Sequence, residues 1–464
     1  MKKLTYFTAL ACLFSMPLSN AQTIEFINST YNYGTMPNNV GANDVATAYT
    51  DWKTNFLASC PNGRYRVQFD NPSETVSEGI AYGMLLTAYA NDQAAFDGLW
   101  LYYQDHVNAN GVMNWKINGC STVVGFNGAT DAEIDAAIAL MVAELRWGNA
   151  GSINYGAAAS SLITIIKNHE VEAGTFVLKP GDAWGGSNTT NPSYFTPGYF
   201  RAYGDYMSDN AYWNNVASKT YEIIDNNLTQ NSAVHNLVSD WTRADGNYTS
   251  EVAGWAAHQG QAYFYDAART PWRIATDYLW YGDADALSYT TKCDAFVNSV
   301  GGFDQIYPGY NQDGSTITTA YKDVTFTGAY AVAAMASGNQ TFVNQAYTEV
   351  KNMTTTAYFG ATLRVLYMYA MTGNTFNPTQ TNVLSTESTD PNITFLIYPN
   401  PVSEQLNIRF ISSDEREIRI HDFTGKIIAH KKTSRDEELI DVQGLSAGIY
   451  FAKIENQVVK FIKE

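Results

Sequence analysis

Ala129-Thr130-Asp131-Ala132-Glu133-Ile134-Asp135-Ala136-Ala137-Ile138-Ala139-Leu140-Met141-Val142-Ala143-Glu144-Leu145-Arg146-Trp147 is the stretch on which the fold turns. Apolar residues recur there at three- and four-residue intervals, the period of an α-helix. Asp135 interrupts a run that is otherwise largely apolar. The same texture returns at 77–91, 157–169, 210–227, 250–258, 266–279, 285–299, 327–337, 340–353 and 358–372. Between these runs lie loops rich in Gly, Asn, Asp and aromatic residues, and strand-like alternation is scarce as far as about Asn377. Sequential helices joined by long loops predict an all-α toroid whose loops carry function at one end.

The texture then changes. From Pro378 to Pro391 the chain turns to Thr, Asn, Ser and Pro, the composition of a polar linker. After it, Leu406-Asn407-Ile408-Arg409-Phe410 and Glu417-Ile418-Arg419-Ile420-His421 alternate with period two. Asp422-Phe423-Thr424-Gly425-Lys426 reads as a hairpin turn and Gly448 to Ile454 as a further strand. This predicts a small β-sandwich module over 393–464. At the other end, Lys2 and Lys3 precede a short apolar run from Ala9 to Met16, and Ser19-Asn20-Ala21 offers a cleavage site before Gln22. That is the pattern of a secretory signal peptide over 1–21. The expected organisation is therefore a signal peptide (1–21), a helical domain (22–377), a linker (378–392) and a β-module (393–464). No later stretch is apolar for long enough to span a bilayer.

The net charge is -17, from 28 Lys+Arg against 45 Asp+Glu. This argues against nucleic acid, whose phosphates reward clustered cations, and against adhesion to anionic lipid. It suits a neutral partner. The chain carries 32 Tyr, 22 Phe and 10 Trp. Some must be core, yet so many tyrosines among so few charges favour an aromatic-lined cleft, since flat rings cover the C–H faces of sugars. Cys12 leaves with the signal peptide, so Cys60, Cys120 and Cys293 remain, an odd set for an oxidising compartment. Cys60 and Cys120 flank the Glu78 segment and form a candidate disulfide, with separate buried thiols as the alternative; Cys293 is then a packed, unpaired thiol. With six His and no Cys/His cluster at ligand spacing, neither a metal nor a cofactor is expected.

Three carboxylates lie in distinctive settings. Glu78 sits in Val76-Ser77-Glu78-Gly79-Ile80-Ala81-Tyr82-Gly83-Met84, Asp131 opens the run quoted first, and Asp266 sits in Tyr265-Asp266-Ala267-Ala268-Arg269-Thr270-Pro271-Trp272-Arg273. Thr75-x-x-Glu78 and Thr130-x-x-Glu133 read as capping boxes, so each acid could be a plain helix start. That reading leaves unexplained why Gly79, Tyr82, Tyr265, Arg269 and Trp272 crowd around them. Cleaving a glycosidic bond needs one carboxylic acid to protonate the leaving oxygen and one carboxylate to assist the nucleophile.

These segments carry a resemblance. Ser77 to Met84 is similar to the general-acid segment of family 8 of the glycoside hydrolases. Ala129-Thr130-Asp131-Ala132-Glu133, with Leu140-Met141-Val142-Ala143 and Trp147, is similar to the family signature. Glu133 there replaces the usual Asp, and Ala136 stands where Ile or Met is usual. Tyr265 to Arg273 is similar to the general-base segment of the subgroup that holds most of the family's cellulases. Met113-Asn114-Trp115, Asp182-Ala183-Trp184-Gly185, Asn191 to Phe195, and Tyr358 with Leu363-Arg364 extend the likeness over nearly all of 25–375. The C-terminal module resembles the sorting domain of type IX secretion through Tyr398-Pro399-Asn400-Pro401, the Thr424-Gly425 turn, Leu445 to Tyr450 and Val459-Lys460-Phe461. A carbohydrate-binding module is the alternative, but 393–464 holds no Trp and only Tyr398 and Tyr450.

The resemblance implies an (α/α)6 barrel and an inverting mechanism. It implies that Glu78 is the acid, Asp266 the base, and Asp131 the neighbour whose charge keeps the proton on Glu78 and which holds the sugar. Arg269 would orient Asp266, and Trp115, Trp184, Tyr199, Tyr265 and Tyr358 are candidate sugar contacts. The expected activity is an endo-acting β-1,4-glucanase, with chitosan or xylan as alternative substrates. A non-catalytic glycan-binding toroid would need one acid missing. A polysaccharide lyase would need basic residues that are scarce here. The expected partners are a polysaccharide and the type IX machinery, the expected location extracellular, and the expected state a monomer.

Overall fold

The computed structural model describes residues 24–380 and, further on, 395–398, 402, 404–410, 415–422, 425–435, 437–446, 448–454 and 457–463. The expected signal peptide and most of the expected linker lie outside the described residues.

Residues 24–380 are mostly helical. The helices are α1 (Asp44–Phe56), α2 (Ser77–Tyr89), α3 (Gln93–Asp105), α4 (Thr130–Trp147), α5 (Tyr155–Ile165) and α6 (Pro197–Met207). They continue with α7 (Asn210–Gln230), α8 (Thr270–Tyr281), α9 (Ala284–Val300), α10 (Val324–Ala333), α11 (Gln340–Asn352) and α12 (Tyr358–Met371). Two classes follow from their composition. Every residue of α10 is buried, and α2, α4, α8 and α12 are buried almost all round. By contrast α11 buries only Val343, Ala346, Tyr347 and Val350, one stripe at helical spacing. These buried helices and the partly buried α6 pack on one another: α2 on α4, α6 on α8, α8 on α10, α10 on α12 and α12 on α2. The Tyr203 hydroxyl of α6 closes the remaining gap by donating to the Ile134 carbonyl of α4 at 2.5 Å. The amphipathic helices lie outside, α3 on α2, α5 on α4, α7 on α6, α9 on α8 and α11 on α10.

Two small sheets, unexpected from the sequence, lie near the start of α2. One pairs β1 (Leu57–Cys60) with β2 (Arg64–Val67); the other orders β3 (Glu74–Val76), β4 (Lys116–Asn118) and β5 (Thr122–Gly125). A Cys60–Cys120 disulfide ties the end of β1 to the β4–β5 turn, and Cys293 is a buried free thiol. Helices α1, α3 and α6 were not expected either. In α1 the apolar stripe (Val45, Ala48, Tyr49, Trp52) is diluted by polar neighbours, while α3 and α6 carry internal glycines. The expected helix at 250–258 is instead a set of turns leading into a short 3-10 segment with positive φ at His258 (48°) and Gln259 (56°). Only Val252 and Gly260 bury there, so no apolar stripe holds a helix.

The capping boxes do not form. Val76 and Ala129 are the N-cap residues of α2 and α4, and neither helix has a side-chain cap. Thr75 lies in β3, where its hydroxyl donates to the Val67 carbonyl at 2.9 Å. Asp266 does not open α8; it precedes a 3-10 turn (Ala267–Arg269), and α8 starts at Thr270 with Pro271 in its first turn.

The C-terminal strands are β6 (Phe395–Tyr398), β7 (Gln405–Phe410), β8 (Arg416–Asp422), β9 (Ile427–Thr433), β10 (Glu437–Asp441), β11 (Gly448–Ile454) and β12 (Gln457–Lys463). They form two antiparallel sheets, β10-β7-β6 and β12-β11-β8-β9, around one shared apolar core. Strand β8 buries alternate residues, Ile418 and Ile420 among them, as period-two patterning requires.

Candidate active site

One guanidinium gathers three carboxylates that lie far apart in sequence. Arg269 Nη1 donates to Glu78 Oε2 at 2.7 Å and to Asp131 Oδ2 at 2.9 Å; Nη2 donates to Ser193 Oγ at 2.8 Å and, at a longer 3.3 Å, to Asp266 Oδ1. The fold makes this meeting possible. Glu78 and Asp131 occupy the first turns of α2 and α4, which pack against each other, and the turn before α8 brings Asp266 and Arg269 to the same end. The Arg269 side chain is itself buried, its Cζ lying 5.4 Å from the ring centre of Tyr194 and 5.6 Å from that of Phe359.

The three acids differ in setting. Glu78 receives a hydrogen bond on Oε1 from the Tyr358 hydroxyl at 2.9 Å. Burial is the chief influence on its carboxyl; Arg269 opposes it, and Asp131 and Asp266 add to it, so the pKa is pushed up to about 7. Asp131 is almost wholly buried, and its pKa is raised by burial against the pull of Arg269. Asp266 is 35% exposed, the most open of the three. Its Oδ2 accepts from Trp241 Nε1 at 3.0 Å, and its carboxyl is raised by burial and lowered by Arg269 and by that bond. Bonding to the two terminal nitrogens of one guanidinium holds Glu78 Oε2 and Asp266 Oδ1 within the ~9.5 Å upper limit that two-carboxylate hydrolysis allows.

Supports lie behind each acid. Arg273, one helical turn beyond Arg269, makes a two-pronged ion pair with Asp135 at 2.5 Å, both wholly buried. This explains the charge that interrupts the apolar run of α4. Asp240 Oδ1 accepts the backbone N–H groups of Phe264 (2.9 Å) and Ala267 (2.8 Å), fixing the turn that presents Asp266.

Among the expected sugar contacts, Trp115 (43% exposed) and Trp184 (36% exposed) face solvent. Trp115 lies beside the start of α2, where its carbonyl accepts the Ser77 N–H at 2.9 Å. Trp184 stacks on Trp241 at 5.6 Å and meets Trp255 edge-on at 6.3 Å. Tyr265 is half-buried and donates to Asp323 Oδ2 at 2.8 Å. Tyr358 is buried and touches Glu78 directly; beyond it a hollow of about 400 Å³ is lined by Phe56, Gln68, Phe69 and Thr355. Tyr199 is a correction: it is buried, stacked on Trp280 at 5.3 Å and placed next to Arg273, so it belongs to the core. Sequence reasoning missed Trp241, Trp255, Asp240 and the role of Ser193. Ser193 lay inside a matching segment, and the others stood in polar, glycine-containing loops with no periodic signal.

Comparison with known proteins gives the family. Residues 29–373 match the model of glycosyl hydrolases family 8, and the chain belongs to that family. It is therefore a glycoside hydrolase. It is 40% identical to Endoglucanase 2 of Ruminiclostridium josui over 371 residues, covering 77% of this chain and 78% of the relative. Identity to Endoglucanase A of Acetivibrio thermocellus is 39% over 369 residues, covering 76% and 74% of the two chains. The solved apo β-1,3-1,4-glucanase from Paenibacillus sp. X4 superposes with a TM-score of 0.69 at 32% identity, covering 75% of this chain and 97% of that one. Residues 396–464 match the secretion system C-terminal sorting domain, which marks the chain for export to the cell surface or beyond. No helix among the described residues is long and apolar enough to cross a membrane.

Proposed function

We propose that the chain is an inverting endo-β-1,4-glucanase acting on cellulose or related β-glucans. Its catalytic unit spans 22–377 as an (α/α)6 barrel, joined by a linker (378–392) to a β-sandwich type IX sorting domain (393–464). The enzyme acts as a monomer. The relatives named as endoglucanases and the glucanase of known structure support the substrate class. One observation carries the chemistry: a single buried guanidinium holds a high-pKa carboxyl on one nitrogen and a more exposed carboxyl on the other.

Glu78, still protonated near neutral pH, gives its proton to the glycosidic oxygen. Asp266 is ionised and takes a proton from a water that attacks the anomeric carbon from the opposite face. Arg269 carries the charge balance, since it steadies the Glu78 anion once the proton has left and keeps Asp266 ionised. Asp131 raises the Glu78 pKa and bonds the sugar at the cleavage point. Trp115, Trp184, Trp241 and Trp255 form aromatic walls. The test is reducing-sugar release from carboxymethylcellulose, which Glu78→Gln abolishes. Cleavage of chitosan or xylan with cellulosic substrates left intact would move the assignment to those substrates.

A further inference from the structure

Glu133 and Glu170 take no part in the chemistry above, yet both are fully buried. Glu133 lies one position past Ala132 from Asp131, in the first turn of α4, and is one of the two residues, with Ala136, at which the chain departs from the family signature. Its Oε1 accepts the Tyr103 hydroxyl at 2.9 Å and the Met113 N–H at 3.2 Å. Its Oε2, both oxygens of Glu170 and the Thr130 hydroxyl have no regular hydrogen-bond partner among the described residues. Glu170 has the Glu133 carboxyl and the Thr130 hydroxyl as polar neighbours.

Two carboxylates cannot face each other in a dry interior with both charges present. Among the described residues no cation is paired with either carboxylate. The neighbouring Lys179 ammonium is spent on the carbonyls of His169 (2.8 Å) and Asp182 (2.7 Å), and among the described residues no three His, Cys, Asp or Glu are grouped to hold a metal ion. The other titratable groups facing the pair include Tyr103 of α3, Asp131 of α4, Asp182 and Tyr203 of α6, none of which supplies positive charge. A single proton between the two would give the facing oxygens a partner.

We infer that Glu133 and Glu170 share one proton as an acid–carboxylate pair, and that this pair positions Asp131 and Trp115. The pair lies where three segments meet. α4 starts there, its Thr130 N–H donating to the Pro180 carbonyl at 3.2 Å. The 113–115 segment hangs from Glu133 through the Met113 N–H. The segment after Glu170 is held by the Lys179 N–H on the Glu170 carbonyl at 2.7 Å and by Asp182, which accepts the Gly128 N–H at 2.8 Å. Burial raises both carboxyls, Glu133 to about 8, in keeping with a retained proton.

The proton-sharing half stands without the glucanase reading, and the positioning half rests on it; the two are tested separately. Infrared difference spectra at pH 7 between the full chain and its Glu133→Gln/Glu170→Gln double variant are expected to lose the band of one protonated carboxyl. Loss of none or of two overturns proton sharing, whatever the enzyme cleaves. On cellohexaose, Glu170→Met, which keeps the volume but no polar group, is expected to lower kcat/KM by about tenfold, because the site loosens, while Glu170→Gln keeps a donor and recovers most of it. Equal kcat/KM in the two variants would reduce the pair to packing and overturn the positioning role.

Discussion

Arg269 Nη1 lies 2.7 Å from Glu78 Oε2, yet Glu78 keeps its proton up to about pH 7. A cation this close would normally hold a carboxyl low. Here burial outweighs it, and the nearby Asp131 and Asp266 charges take back part of what Arg269 offers. The balance suits a group that must be an acid before bond cleavage and an anion after it.

The pH profile should report this balance. The rate falls as pH rises through about 7, where Glu78 loses its proton, and falls again at acid pH as Asp266 gains one. Tyr358 stabilises the Glu78 anion through its hydroxyl, so Tyr358→Phe moves the upper limb to higher pH. Measuring kcat/KM against pH for both proteins checks the direction; an unmoved or lowered limb would contradict it. Stability follows the same sign. A carboxyl whose pKa is raised by folding stabilises the folded state at low pH, and that contribution is lost as pH rises through about 7.

Arg269→Lys keeps the charge but loses the planar fork. One ammonium cannot serve Glu78, Asp131, Ser193 and Asp266 at their present places. We expect kcat to fall by roughly 10²-fold, with a smaller change in KM. Steady-state kinetics on a soluble cello-oligosaccharide measures both.

Trp184, Trp241 and Trp255 meet as one cluster, and Trp241 also bonds Asp266. Trp255 is 62% exposed and, among the described residues, is not hydrogen-bonded to any of the three acids, so Trp255→Ala isolates binding. It is expected to raise KM by about tenfold, the equivalent of ~1.4 kcal/mol, with kcat nearly kept. Trp241→Phe should instead lower kcat and shift the acid limb upward, because Asp266 loses a bond that favours its anion.

How much of this was legible in the sequence differs by element. The wholly buried helices announced themselves through long apolar runs, as in α4 and α10, and the three acids stood in segments rich in small residues, with aromatics beside Glu78 and Asp266. Helix α1 was silent because a single stripe (Val45, Ala48, Tyr49, Trp52) among polar residues is a weak signal. The Thr75 and Thr130 patterns mimicked capping boxes, but tertiary pairing of β3 and burial of α4 decided their side chains instead. Trp241 and Asp240 could not be found from spacing, since their partners Asp266, Phe264 and Ala267 come to them only through the fold. Tyr199 misled for the converse reason: an aromatic beside a cleft motif is as readily a core ring.

Two structural supports give stability predictions. Arg273→Ala strands the Asp135 carboxylate in the interior and is expected to cost about 3–5 kcal/mol, read by denaturant unfolding. The disulfide closes a loop with a sequence separation of 60, so Cys60→Ser/Cys120→Ser is expected to cost about 2–4 kcal/mol. Because that disulfide anchors the β4–β5 turn near Trp115, its loss should also raise KM.

The central claim is that water is activated by Asp266 on the face opposite the proton donor Glu78. Proton NMR of the first product released from cellohexaose tests it most directly. The account predicts that the new reducing end appears initially as the α-anomer and then mutarotates. An initial β-anomer would contradict it.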